Sequence, residues 1–441
     1  MEVNLSKIGR VVRNFFFAKA GITGKAVQFE KRKSKLNSQL FVETLISAYL
    51  SDTQASLERM CAFIKEKGVK ITKQGLHQRF NAHAVELMSQ LLKVALSNFR
   101  SANRPVLDLL NYFSSVYQLD SSAVSLPESM KELFKGCGGN ASESGLKLQV
   151  LFNYMQGEVK SLTFTDGRAS DQGFREHLNT IEKGALYLQD LGYFRVDSFK
   201  KIANEGAYFL SRYLAPTTLY SEKGERIDLL KLLSNSDGYL VKKVWLGKTE
   251  GLQIRLIAHR LPDTEVEKRL RKLHADAKKK GRTPIEETLL FARWSIYITN
   301  APESILADEH IHEVYTLRWQ IELFFKLAKS EAGIDKGNGK KSNRILCELY
   351  AKLICVVLLL YLVFPERWQK NQEVSLSKAC KQLQKYALTF FKALDSPYRF
   401  TQFLRAFLSD IKSFALKDRY RKKRRATYHK LMDAAGQEVF V

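Results

Sequence analysis

Cysteine is scarce, with five residues in 441, and Cys61, Cys137, Cys347, Cys355 and Cys380 are scattered without a Cys-x-x-Cys pair. Neither a disulfide framework nor a cysteine zinc site is expected. Pro (8) and Gly (24) are too few for a fibrous or disordered chain. Long hydrophobic runs are also lacking. The longest, Leu353 to Phe364, is followed by Pro365 and has twelve residues, which fits a buried core helix better than a bilayer span. The N-terminus carries no signal-peptide core, since Arg13 interrupts its apolar stretch. The expectation is a cytoplasmic, nucleoid-associated protein with no membrane partner.

Negative charge is what the chain lacks most. Lys+Arg number 71 against 46 Asp+Glu, a formal net charge of +25. A surplus of that size points to nucleic acid as the partner. The run Arg419–Arg425 adds a basic tail suited to phosphate contact.

The texture along the chain suggests five regions. Residues 1–105 read as helical. Asp52 or Thr53 caps one helix, Gly68 breaks it, and Thr72 caps another whose exposed residues are Lys73, Gln74, His77, Gln78 and Arg79. That is the outline of a helix-turn-helix, shared with any αα-hairpin of a basic protein. Residues 106–213 show short strand-like runs at 115–119, 148–154, 159–165, 186–189 and 207–213, with helices near 174–183 and 198–204. Three antiparallel strands then a β-α-β-α tail make a mixed α/β sheet. Residues 214–300 break the rhythm as a β-rich insertion around a basic helix from Glu265 to about Gly281. Residues 301–365 begin with a long helix over 304–332 and end in the apolar one. Residues 366–441 read as a helical, basic C-terminal region for dimerisation or DNA contact.

Chemistry on phosphodiesters needs clustered carboxylates to hold divalent cations. Asp190 ends the strand Leu186–Gln189, at the carboxyl end where sites form in open α/β sheets. Asp120 likewise follows a strand. Taken alone, each reads more readily as a turn or cap residue than as a catalytic one. Asp166 and Asp171 compete with Asp120, as a turn and a loop cap. The long helix carries the stronger signal. At about 100° per residue, Tyr315, Arg318, Glu322 and Lys329 fall within a stripe of roughly 60°, with Lys326 beside them. Trp319, Ile321, Phe324 and Phe325 leave that helix little circumference for solvent. A polar stripe there is buried or functional.

Tyr-x2-Arg-x3-Glu-x6-Lys, in the setting Tyr-Thr-Leu-Arg-Trp-Gln-Ile-Glu-Leu-Phe-Phe-Lys, resembles the YREK signature of insertion-sequence-four-type DDE transposases of bacterial mobile elements. Leu119-Asp120-Ser-Ser and Leu188-Gln-Asp190-Leu-Gly-Tyr resemble the segments bearing that family's two catalytic Asp residues. The likeness covers roughly residues 110–365. It implies an RNase H-like core interrupted by the insertion, with Asp120, Asp190 and Glu322 as a triad holding two Mg²⁺, for which Mn²⁺ can substitute. It also implies that Tyr315, Arg318 and Lys329 grip phosphates, and that a homodimer synapses two terminal inverted repeats. Cleavage through a hairpin and attack on target DNA would follow, with no small-molecule substrate. Leu191 stands where the family commonly has Arg, and Ser122 where it often has Thr. The family's base-holding Trp falls nearest Trp294, one residue out of place, which in a strand means the opposite face. Trp245 is a weaker choice. The readings to weigh against an active transposase are a transposase-derived DNA-binding regulator, a nuclease without strand transfer, and a sugar hydrolase.

Overall fold

The computed structural model describes residues 4–32, 34–100, 108–139, 142–215, 217–248, 251–337, 339–367 and 374–417. The basic run 419–425 lies outside them. Six helices open the chain: α1 (Leu5–Asn14), α2 (Ala20–Ala26), α3 (Ser38–Ser51), α4 (Leu57–Glu66), α5 (Lys73–Arg79) and α6 (Ala82–Asn98). Asn4, Asn37, Ser56, Thr72 and Asn81 cap five of them, each side chain accepting a backbone N–H of the first turn. A π-turn, Phe15–Lys19, joins α1 to α2.

The sheet follows: β1 (Val116–Ser125), β2 (Gly145–Asn153), β3 (Glu158–Asp166), β4 (Leu186–Gln189), α7 (Val196–Asn204) and β5 (Tyr208–Arg212). β1, β2 and β3 pair antiparallel, whereas β4 runs parallel to both β1 and β5. Two sequence expectations fail here. β1 runs six residues past Leu119, so Asp120 sits inside the strand rather than after it. No α-helix forms over 174–183; two 3₁₀ turns, 171–173 and 176–180, take its place. Asn179, Thr180 and Ile181 are indifferent helix formers in too short a stretch to overcome nucleation.

Five more strands extend the same sheet: β6 (Leu219–Tyr220), β7 (Arg226–Ile227), β8 (Tyr239–Leu246), β9 (Leu252–Arg260) and β10 (Trp294–Thr299), with α8 (Leu229–Ser234), α9 (Asp263–Lys279) and α10 (Glu286–Phe291) between them. The order across the described sheet is β3-β2-β1-β4-β5-β10-β9-β8-β6-β7. The region 214–300 is therefore continuous with the first five strands through the β5–β10 pair.

The long helix expected over 304–332 is segmented. A 3₁₀ turn (Asp308–His310) leads into α11 (Ile311–Thr316), a second 3₁₀ turn (Leu317–Trp319), α12 (Gln320–Lys326) and a π-turn (Leu327–Glu331). α13 (Ser342–Arg367) is more than twice the apolar run read from sequence. Its segment Ser342–Val363 is long and apolar enough to cross a membrane, yet 89% of that window is buried in the protein, which makes it a core helix. Pro365 lies within its last turn, where the missing N–H forfeits one i→i−4 hydrogen bond. α14 (Leu376–Lys385), α15 (Ala387–Ala393) and α16 (Pro397–Phe414) follow.

One apolar core joins α1 to α6, α13 to α16 and the helix-facing side of β1 to β3. Packing thus cuts across the partition suggested by the sequence, uniting helices from both ends of the chain. A second core lies under α7 on the opposite side of the sheet, and a third lies between the sheet and α11.

Candidate active site

Register alone assembles the first part of the site. Leu119 pairs with Gln189, and Gln189 with Ser211, all in parallel strands. The next residue in each strand is Asp120, Asp190 and Arg212. Residues in one row of a parallel sheet point to one face, with strands about 4.8 Å apart. Two carboxylates and a guanidinium are thus set side by side. Arg212 in turn pairs with Tyr297 of β10. The side chains of this row face α11 and α12.

The segmented helix completes it. Nη1 of Arg318, whose side chain is only 8% exposed, donates to Oδ2 of Asp120 at 3.3 Å. The Ser121 amide donates to Oδ1 of Asp120 at 2.8 Å. Nη2 of Arg212 stands 3.6 Å from Oδ1 of Asp190, an ion pair without a hydrogen bond. Burial pushes the Asp120 carboxyl up to about 6, Asp190 and Glu322 push the same way, and the Ser121 amide and Arg318 oppose them. The Glu322 carboxyl is raised too, by partial burial and by Asp190, against the pull of Arg318.

Asp120 and Asp190 come together, and Glu322 lies within their electrostatic reach but is exposed. Among the described residues no three His, Cys, Asp or Glu side chains close into a ready-made ligand group. Like charges repel, and Glu322 has solvent available.

The remaining sequence candidates divide. Lys326 is exposed and Lys329 half-buried on the same segmented helix. Tyr315 is buried, 5% exposed, with its hydroxyl donating to the Gln189 carbonyl at 3.4 Å, so it braces the end of β4. Trp294 is half-buried against the second core, and Arg269 donates to its carbonyl at 3.0 Å. Among the described residues the exposed indole is Trp319, at 55%, with the Arg318 guanidinium 5.1 Å from its ring centre. This corrects the expectation that Trp319 closes the helix from solvent: four residues after Tyr315 it falls at about 40°, on the side of the exposed Glu322 and Lys326 and away from the buried Phe324. On α5, Lys73 and Gln74 are exposed, and Lys73 pairs with Glu58 at 3.2 Å. His77 and Arg79 are half-buried instead of exposed. Arg79 donates to the Phe29 and Leu36 carbonyls and lies 4.2 Å from the Phe29 ring centre, so it ties the hairpin to the preceding loop.

Asp171, a rival for the first carboxylate position, accepts from Ser121 Oγ (2.8 Å), Lys147 Nζ (3.1 Å) and Gln149 Nε2 (3.2 Å). Its Oδ1 is fully engaged as a brace beside the site. Asp166 ends β3 and accepts the Lys135 amide. Sequence reasoning missed Arg212, which extending the row from Asp190 into β5 would have found. It also missed Arg255 of β9. This buried guanidinium donates to the Ala301 (2.8 Å) and Leu306 (2.6 Å) carbonyls and pairs with Asp308, pinning the loop that launches α11.

The donors on offer are carboxylate oxygens, which suit a hard divalent cation of the Mg²⁺ or Mn²⁺ kind. Oδ1 of Asp190 is buried and accepts no hydrogen bond, a vacancy in bonding that a cation satisfies. Paired carboxylates side by side on two parallel strands, framed by arginines, can serve phosphoryl transfer on a polyanion.

Residues 111–358 match the family model described as Transposase DDE domain, more than half of the chain, and the protein belongs to that family of DNA transposases, whose chemistry implies a divalent metal. The chain is 28% identical over 408 residues to the transposase of insertion sequence element IS231F from Bacillus thuringiensis subsp. israelensis, covering 86% of this chain and 85% of that one. It is 29% identical over 438 residues to the transposase of IS1151 from Clostridium perfringens, with 91% of each covered. A piggyBac transposase synaptic complex with hairpin DNA shares 8% identity at a TM-score of 0.46, over 91% of this chain and 85% of that one.

Proposed function

We propose that this transposase binds the terminal inverted repeats of its own insertion sequence and cuts and rejoins DNA there, with Asp120, Asp190 and Glu322 as its catalytic carboxylates. The observation that carries the reading is the row Asp120–Asp190–Arg212, set by sheet register and faced by Arg318 and Glu322. The strand order β3-β2-β1-β4-β5, with its antiparallel hairpins followed by two parallel strands, supports an RNase H-like core, to which β6–β10 are the insertion.

In this reading the three carboxylates would hold two Mg²⁺. When bound, the pair lowers the pKa of the attacking water or 3′-hydroxyl and offsets charge on the pentavalent phosphorus. The protein's own groups do the rest. Burial strengthens the electrostatics of Asp120 and Asp190. Arg318 and Arg212 prevent the bare pair from repelling itself open. Lys326 and Lys329 offer cations to the phosphates of the cleaved end. Tyr315, through the Gln189 carbonyl, fixes where Asp190 stands. Hydrolysis frees a 3′-hydroxyl, which attacks the opposite strand to form a hairpin and, once that is reopened, the target. Trp319 is the indole exposed beside this chemistry, able to stack on an unpaired base. Two copies of the chain hold the two ends.

The test is purified protein with a duplex carrying the flanking terminal repeat, incubated with Mg²⁺ or EDTA and resolved on a denaturing gel. Metal-dependent 3′ nicks and joined products, absent with Glu322→Gln although that variant still binds the duplex, are the expected result. Specific binding without cleavage in any metal would favour a regulator, and nicks without joining would favour a nuclease.

A further inference from the structure

α5, the hairpin helix that the sequence offers for DNA contact, has Arg79 turned inward and Lys73 paired. A more open cationic surface lies elsewhere on the helical body. α1 crosses α16 at Gly9, where a Cβ would already stand 3.5 Å from Phe400 Cδ1. Beside this crossing opens a cleft of about 890 Å³. Arg10 and Arg13 line one wall and Arg405 the other, with Asn14, Gln402 and Tyr398 between them. None of the twelve lining residues is acidic.

The charge imbalance extends along both helices. From Leu5 to Ala26 the chain carries Lys7, Arg10, Arg13, Lys19 and Lys25 and no carboxylate. α16 carries Arg399, Arg405 and Lys412, and its one acid, Asp410, is engaged by the Tyr386 hydroxyl. Arg13 is held in place: Nε donates to the Leu394 carbonyl at 2.7 Å, and the guanidinium sits 5.5 Å from the Phe17 ring centre. Four further N–H groups of that guanidinium remain for a ligand. Arg405 is steadied by Gln402 at 3.3 Å. Tyr398 is 72% exposed at the rim.

Fixed arginine forks with amide side chains between them suit phosphodiester oxygens and the adjoining sugars. An anionic lipid surface fits less well. The apolar residues of α1 and the π-turn after it pack into the protein core: Ile8, Val12, Phe15 and Phe16 are buried, and Leu5, Val11 and Phe17 lie half-buried against them.

We propose that the α1–α16 cleft seats the sugar-phosphate backbone of duplex DNA, away from the carboxylates and without reading sequence. The proposal rests on the transposase reading above for the identity of its polyanion.

The experiment uses the full chain and fluorescence anisotropy with two labelled duplexes, one carrying the terminal repeat and one scrambled, across a KCl series. Arg10→Glu/Arg405→Glu is compared with wild type and with Lys223→Glu/Lys231→Glu, the same charge change at exposed positions on the far side of the sheet. The milder Arg10→Gln/Arg405→Gln guards against misfolding, with thermal melts alongside. The cleft variants are expected to lose about 10- to 100-fold in affinity for both duplexes, and to lower the slope of log affinity against log salt by about 2. The preference for the repeat stays unchanged, and the control stays within about 2-fold of wild type. Cleft variants that bind within 2-fold of wild type, with the same slope, overturn the proposal. So does a loss confined to binding of phosphatidylglycerol vesicles, which would assign the cleft to lipid. A wild-type protein that neither binds nor nicks the repeat would overturn the transposase reading itself, an outcome distinct from unchanged cleft variants of an active enzyme.

Discussion

The two halves of the candidate site are built by different means. Asp120, Asp190 and Arg212 stand on adjacent strands whose hydrogen-bonded register leaves them no freedom of relative position. Glu322, Lys326 and Lys329 stand on a helix that changes from α to 3₁₀ to α to π within twenty-one residues, 311–331. Such departures recur at functional sites and hinges because they loosen the i→i+4 ladder. The sheet half is half-buried and preformed, and the helix half is more exposed and jointed. On the proposed reading, the difference means that two carboxylates would be positioned by the backbone and the third recruited when cation and DNA arrive.

The largest effect that can break this comparison is on cleavage. Asp120→Asn and Asp190→Asn are expected to lower single-turnover nicking by about 10³-fold or more, and Glu322→Gln to match them. A residual rate in Glu322→Gln within 10-fold of wild type would remove the helix from the chemistry.

Arg255→Ala tests the joint between the halves. It leaves Asp308 partly buried without its partner and frees the loop ahead of α11. A loss of about 3 kcal/mol in urea unfolding is expected, with nicking reduced while binding of the repeat is retained. Unchanged stability would show that the β9 clamp does not hold the helix.

Acid stability sharpens the contrast from beneath the sheet. Burial, helped by Arg175 and Lys201, lowers the His177 pKa to about 4, and its Nε2 meets Gln189 Nε2 at 3.3 Å. The unfolded chain takes up that proton near 6.5. The stabilisation is therefore complete above pH 6.5 and is lost as pH falls from 6.5 towards 4. It amounts to about 3–4 kcal/mol at most. Urea midpoints that fall over this window in wild type but much less in His177→Gln would agree. Equal profiles would place the sensitivity elsewhere.

Asp120 has the opposite sign. Its folded pKa is raised, so the metal-free protein gains stability from this group as pH falls through about 6 towards 3.8. Asp120→Asn is accordingly expected to stabilise the metal-free protein at pH 7 by about 1 kcal/mol. Glu322→Gln, at an exposed position, should change it by less than about 0.5 kcal/mol. Equal shifts from the two variants would deny the buried–exposed contrast.

Much of this was legible in the sequence. The strand runs near 148–154, 159–165, 186–189 and 207–213 have periodicity that local physics enforces, and Asp190 at the end of β4 followed from them. The residue spacing from Tyr315 to Lys329 marked the helix. What did not show was anything set at long range. The phase of Tyr315 put it on the polar stripe, and its burial against β4 depends on the sheet, which the periodicity of one helix cannot show. The inward course of Arg79 depends on carbonyls of Phe29 and Leu36, about fifty residues away. The merging of helices from both chain ends around α13 is likewise a product of tertiary packing.

The measurement that bears most directly on the central claim is Mn²⁺ binding to the DNA-free protein, followed by electron paramagnetic resonance for wild type, Asp120→Asn, Asp190→Asn and Glu322→Gln. The account predicts that Glu322→Gln keeps one Mn²⁺ at near wild-type affinity, held by the sheet carboxylates, whereas either Asp variant loses it. Loss of all Mn²⁺ binding in Glu322→Gln, equal to that in Asp190→Asn, would contradict a preformed sheet pair that recruits its third ligand from the helix.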